Sequence, residues 1–259
     1  MITSRRTRAT LAAAILVVGL SACGSDDSDD GDTTTTTEAE AASTTSGSDS
    51  DESTTTEGDD SGDDSGDDAE AMARAEAANV TIDDLPDGWT ATPPGDDSNN
   101  VFDTCGEVDI EAVTVAKARS DQFETQADDG GQMTISSTSG VLTGEDEATA
   151  LVDQFTDEAF ATCVADALRD ELGAAQVEGS LAAAASDELP DVADQVGALS
   201  GTFTITDPTA GDTIELKAAV VAIRTGDLVT TLTVATIDTA GDGDLFESLV
   251  GTVAERQAG

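Results

Sequence analysis

The sequence predicts an α+β fold, one antiparallel β-sheet with helices packed on one face, arranged as two strand-and-helix halves similar in outline. Three observations predict it. Long alternating runs fill the last third, at 201–206, 213–224 and 227–238, and Thr225-Gly226 joins two of them as a tight hairpin turn. Apolar residues recur at helical spacing through 148–168 and again through 245–253. A long stretch of Asp, Ser, Thr and Gly ends near residue 78, so residues 79–259 remain to build one domain of ordinary size.

At the start of the chain, Arg5, Arg6 and Arg8 precede an apolar run over 11–20, and the small Ser21 and Ala22 lead into Cys23. Charged, apolar and small residues in that order make a secretory signal peptide. The run falls well short of the roughly 20 residues that cross a bilayer as a permanent helix, so residues 1–22 read as a segment that is removed. Leu20-Ser21-Ala22-Cys23 resembles the lipobox of bacterial lipoproteins. That resemblance implies cleavage before Cys23 and lipidation of its thiol with diacylglycerol (palmitate on the mature chain). The protein is then held at the extracytoplasmic face of the cell membrane.

Residues 23–78 read as an acidic, disordered tether. Apart from Met72 they carry no large apolar side chain, and such a segment cannot bury enough surface to offset the entropy of ordering it. Its reach is about 40 Å before charge repulsion extends it. Only 68–78, with its Ala and Glu, has the composition for a helical turn or two.

The folded part opens on Leu85-Pro86-Asp87-Gly88-Trp89, a turn signal with Trp89 as an apolar plug behind it. Short strands are expected around 100–102 and 110–116, then a strand with one wet face over 132–137, where Met133, Ile135 and Ser137 alternate with polar neighbours. Thr143-Gly144-Glu145-Asp146 has the form of a helix start with Thr143 as cap. Ala148, Leu151, Val152 and Phe155 form one apolar stripe; after a break near Thr156, Phe160, Cys163, Val164, Ala167 and Leu168 form a second, which Gly173 stops. In the last run Leu228, Thr230, Leu232, Val234 and Thr236 share one face, and both faces are only moderately polar, so helices are expected to cover one of them. After Gly241-Asp242-Gly243 a terminal helix sets Leu245, Phe246, Leu249, Val250 and Val253 on one side. The two halves open alike, Leu85-Pro86-Asp87 in one and Leu189-Pro190-Asp191 in the other.

Of three cysteines, Cys105 and Cys163 remain once Cys23 is lipidated, and an oxidising exterior favours their pairing as a disulfide. The lipobox, the tether, the Leu-Pro-Asp-Gly-Trp opening, the two cysteines and the ending Ala222-Ile223-Arg224-Thr225-Gly226-Asp227 before a strand and a helix resemble actinobacterial cell-envelope lipoproteins. Within these the chain is similar in plan to PknH-like extracellular sensor domains, which usually carry two disulfides, and to PsbP-like lipoproteins. The resemblance implies a sheet with flanking helices, and binding or scaffolding in place of catalysis.

Composition narrows the chemistry. The chain holds 55 acidic and 10 basic residues, a formal charge of −45, so phosphate backbones are repelled and nucleic acid is excluded as a partner. With no histidine, Ser-His-Asp and Cys-His nucleophiles and His-ligated metals are absent. No Gly-rich phosphate loop occurs. Asp238, Asp242, Asp244 and Glu247 invite comparison with a calcium loop, but counted from Asp238 the third position is Ala240 and the twelfth Leu249, where oxygen ligands are required. No catalytic, cofactor or metal residue is therefore assigned. The sequence reads as a lipid-anchored, non-catalytic binding or accessory protein of the cell envelope, its partner a small ligand or an envelope protein. The alternative is a hydrolase of wall polysaccharide using two carboxylates.

Overall fold

The computed structural model describes residues 64–95, 101–127, 130–171, 176–184, 190–206 and 211–259. Helix α1 spans Asp64–Ala78 and is followed by a 3-10 turn at Ile82–Asp84, strand β1 (Thr90–Thr92) and two short helices, α2 (Val101–Cys105) and α3 (Ile110–Val113). Strands β2 (Thr114–Arg119), β3 (Gln122–Gln126) and β4 (Gln132–Leu142) lead to α4 (Glu145–Gln154) and α5 (Glu158–Glu171). Strands β5 (Gln176–Ala183), β6 (Gln195–Thr206), β7 (Thr213–Thr225) and β8 (Leu228–Ile237) precede the terminal helix α6 (Gly243–Ala258).

Eight strands join one antiparallel sheet; seven follow the order β1-β3-β4-β8-β7-β6-β5, and β2 pairs with β4 off this path. Strand β8 pairs along almost the whole of one edge of β4, while β3 and β2 share its other edge in tandem. The α+β class and the antiparallel sheet agree with the sequence reading. The helices do not keep to one face. Alternate residues of β7 enter different cores: Val220 and Ala222 pack with α4 and α5, whereas Val221 and Ile223 pack with α6. The reason lies in the connections, since the helix pair after β4 and the helix after β8 leave onto opposite sides. Each half is thus a run of strands ending in helix, but the two cover different surfaces.

On the α4 face, Phe102, Phe155 and Phe160 form a triad with ring centroids 5.4 to 6.0 Å apart, and each such pair adds about 1 kcal/mol beyond its burial. Leu142, Leu151, Val152, Val164, Leu181, Leu199 and Phe203 complete this core. Gly197 of β6 lets α4 approach, because a Cβ there would lie 2.7 Å from the Val152 carbonyl oxygen. Cys105 at the end of α2 is bonded to Cys163 of α5, with sulfurs 2.09 Å apart. The expected strands at 100–102 and 110–116 are, over the described residues, the helices α2 and α3, with β2 beginning only at Thr114. Two local demands explain this: Asp109 caps α3 by accepting the Ala112 N–H at 3.1 Å, and Phe102 must reach the triad. Helix α4 is capped by Gly144 without a side-chain bond, not by Thr143, whose N–H instead donates to the Val113 carbonyl. Strand β4 has no wet face: at the positions expected to be wet, Thr134 is buried and Gln132 and Ser136 are half-buried. Gly173 and Leu189 lie outside the described residues.

On the α6 face, Leu249, Val250, Val253 and Ala254 cover Val221, Ile223 and Leu232, with Trp89 half-buried at the margin. Helix α1 lies beside α6. Its Ala71, Ala75 and Ala78 are buried against Ala116, Val141 and Leu228. The packed unit therefore begins ahead of residue 79, in a segment whose composition read as tether. Alanine allows both readings, being the best helix former yet adding little apolar surface.

Candidate functional site

A groove of about 380 Å³ opens on the α6 face where that helix stops short of the sheet's far strands. Its floor follows from register. Directly paired residues in adjacent strands point to the same side. Ser200, Ala219 and Val234 make one row across β6, β7 and β8, and Thr202, Lys217 and Thr236 make the next; Ala182 and Ser180 of β5 extend these rows beyond the groove. The side wall is Gly241, Asp242, Gly243 and Phe246. Small side chains on the floor keep the groove open, and Val234 and Phe246 supply its larger apolar surface. Lys217 lies 3.0 Å from a Glu215 oxygen. Asp242 caps α6 by accepting the Leu245 N–H at 3.0 Å.

The far end of α6 sets the position of this wall. Arg256 clamps Asp84 through two hydrogen bonds of 2.9 and 2.6 Å and donates to the Asn79 carbonyl at 2.8 Å. Gln257 donates to the Ile223 carbonyl and to the Thr230 hydroxyl. From Thr230 a buried polar chain runs through Ser139 to the Asn79 side chain, which also accepts from Ser137. The Val80 N–H donates to Ser137 as well. Apart from the buried Gln257 Oε1, which has no partner among the described residues, the buried polar groups of this network are paired, and the network holds α6, the α1 end and β4 in one arrangement. Burial of Asp84 pushes its carboxyl up, but hydrogen bonds from Arg256 and Thr81 outweigh this and hold it below the usual carboxylate range. The bond from Arg74 to Asp227, opposed by desolvation, raises the Arg74 guanidinium and so secures its charge.

The sequence-predicted site residues are distributed as follows. Cys23 lies outside the described residues. Cys105 and Cys163 belong to the α4 face, across the sheet from the groove. The acidic residues compared with a calcium loop have separate duties: Asp238 accepts the Glu215 N–H at 2.9 Å and Asp242 caps α6. Among the described residues no helix is long and apolar enough to cross a membrane. Sequence reading missed the groove altogether. Its residues come from three strands, the loop before α6 and that helix, and the sole local hint is the small residues Gly201, Ala218 and Ala219 among larger ones.

No family model and no curated protein sequence matches the chain. Two solved structures are similar in general plan. The extracellular domain of PknH from Mycobacterium tuberculosis aligns at 8% identity over 73% of this chain and 96% of that one, with a TM-score of 0.38. LpqN, involved in cell envelope biogenesis of Mycobacterium tuberculosis, aligns at 14% identity over 66% of this chain and 78% of that one, with a TM-score of 0.30. At these scores neither assigns a role to any residue here.

Proposed function

We propose that this chain is a non-catalytic binding or accessory domain of the cell envelope, held at the extracytoplasmic membrane face by a lipid on Cys23 and receiving a small ligand in the groove beside α6. The observation that carries the reading is the groove itself: an open site of about 380 Å³, within the size range of small-molecule pockets. Its lining supports binding over hydrolysis. Asp242 is the sole carboxylate among the lining residues, and the Leu245 N–H already engages it, whereas glycoside hydrolysis needs two facing carboxyl groups.

Two measurements test this reading. Cys23→Ala is expected to release the protein from washed membranes while its circular dichroism is unchanged; retention after a high-salt wash contradicts the lipid anchor. Mass spectrometry of the purified native protein is expected to find a bound small molecule that Ala219→Phe, which fills the groove floor, displaces. A ligand that survives this substitution is bound elsewhere.

A further inference from the structure

We infer that the groove, if it is the ligand site proposed above, takes an amphipathic organic cation: an ammonium or guanidinium group carried on an apolar body. Just beyond the groove's lining, the pairing of β5, β6 and β7 sets one more row, Glu178, Thr204 and Glu215, on the same side of the sheet. From the Ala182–Val234 row to this acidic row is four residues along each strand, about 13 Å. Along this side of the sheet the surface therefore passes from Ala219 and Val234 in the groove, through the hydroxyls of Thr202 and Thr236 beside Lys217, to carboxylates just outside it. A ligand lying along it meets apolar surface first and negative charge last.

The cationic features nearby do not reverse that sign. The Lys217 ammonium is 3.0 Å from Glu215, so the pair is close to neutral, and Glu178 remains. The N-terminus of α6 would by itself favour an anion, but Asp242 as cap and Asp244 in the first turn already occupy it. An incoming carboxylate or phosphate would meet these side chains, while an N–H donor finds them, and the hydroxyls of Thr202 and Thr204, as acceptors. The chain's formal charge of −45 concentrates cations around the whole molecule. Glu178 and Glu215, both exposed, give that attraction a place where apolar contact is also available.

The test titrates the purified chain with three probes below their aggregation limits: octylammonium, octanoate and ethylammonium. Calorimetry gives affinities, and amide chemical shifts give location. Octylammonium is expected to bind at least about tenfold more tightly than either other probe, shifting the amides of Ser200, Ala219, Val234 and Phe246. In Glu178→Gln/Glu215→Gln, two exposed changes that leave the core untouched, its advantage over octanoate is expected to vanish. If octanoate matches octylammonium at the same amides, the cation assignment is overturned and the groove stands as a site for apolar ligands. If the preference persists in the double variant, the attraction is diffuse and the assignment is again overturned. If no probe shifts the groove amides, the inference and the groove reading fall together.

Discussion

The two faces of the sheet are stabilised by different means. The α4 face is closed by three phenylalanine rings, large aliphatic side chains and the Cys105–Cys163 bond. The α6 face is covered by an alanine-faced helix, α1, and by α6, which is fixed at its far end by Arg256, Asn79 and Gln257 and leaves a groove at its near end. One side is built from buried volume. The other combines an apolar core under α6 with directional polar contacts that fix the adjoining ends of α1 and α6. The groove lies on the second side, at the end of α6 away from these contacts.

Substitutions that distinguish volume from polar fixation test this contrast. The largest effect is expected from Phe155→Ala, which empties the centre of the triad: about 3–5 kcal/mol by chemical denaturation. A loss below about 1 kcal/mol would mean that the α4 face is not the main source of stability. Next comes reduction of the disulfide. It closes a loop with a sequence separation of 58, and its opening is expected to cost about 2–4 kcal/mol. Labelling of the denatured, unreduced protein should leave both thiols unmodified; full labelling of Cys105 and Cys163 would remove the bond from the account.

On the α6 face, Asp84→Asn is expected to cost about 2 kcal/mol at pH 7, because it breaks a charge-assisted pair with Arg256 whose carboxyl is mostly buried. The pH dependence follows from the direction of the shift. The folded carboxyl is held below its unfolded value, so its contribution is complete above about pH 4 and is lost as pH falls through the folded pKa. The gap between native and variant proteins should therefore narrow below pH 4, and a constant gap would contradict the ion pair. The smallest effect is expected from Arg74→Ala, which removes a partly exposed ion pair with the half-buried Asp227: under about 1 kcal/mol globally. Hydrogen exchange in α1 should nonetheless quicken, since little but alanine contact then holds the helix down.

What was legible in the sequence follows the same division. The stripe from Ala148 to Phe155 and the alternation of β8 were readable because large apolar residues mark their own period. Strand β5 was not, since Val177 and Leu181 stand four apart with Gly179 between them; its identity comes from pairing with β6. Helix α2 has five residues, too few for a period to show. Docking of α1 was hidden because its buried face is alanine, which an unpacked segment can equally contain. The use of both sheet faces was ambiguous for a related reason: Val220 and Ala222 on one side of β7 look no different from Val221 and Ile223 on the other.

The clasp around Asn79 also has a mechanical meaning. Tension on the chain ahead of Asp64 enters the packed unit through α1, whose alanine contacts yield one turn at a time, as a zip does when pulled from its end. The pull then reaches Asn79 and Val80, where the Arg256 guanidinium and the Ser137 hydroxyl hold the backbone directly to α6 and β4. There several bonds must break together. Under load, α1 with its alanine contacts and its Arg74–Asp227 bond is expected to give way first, ahead of the clasp that holds the sheet and its groove.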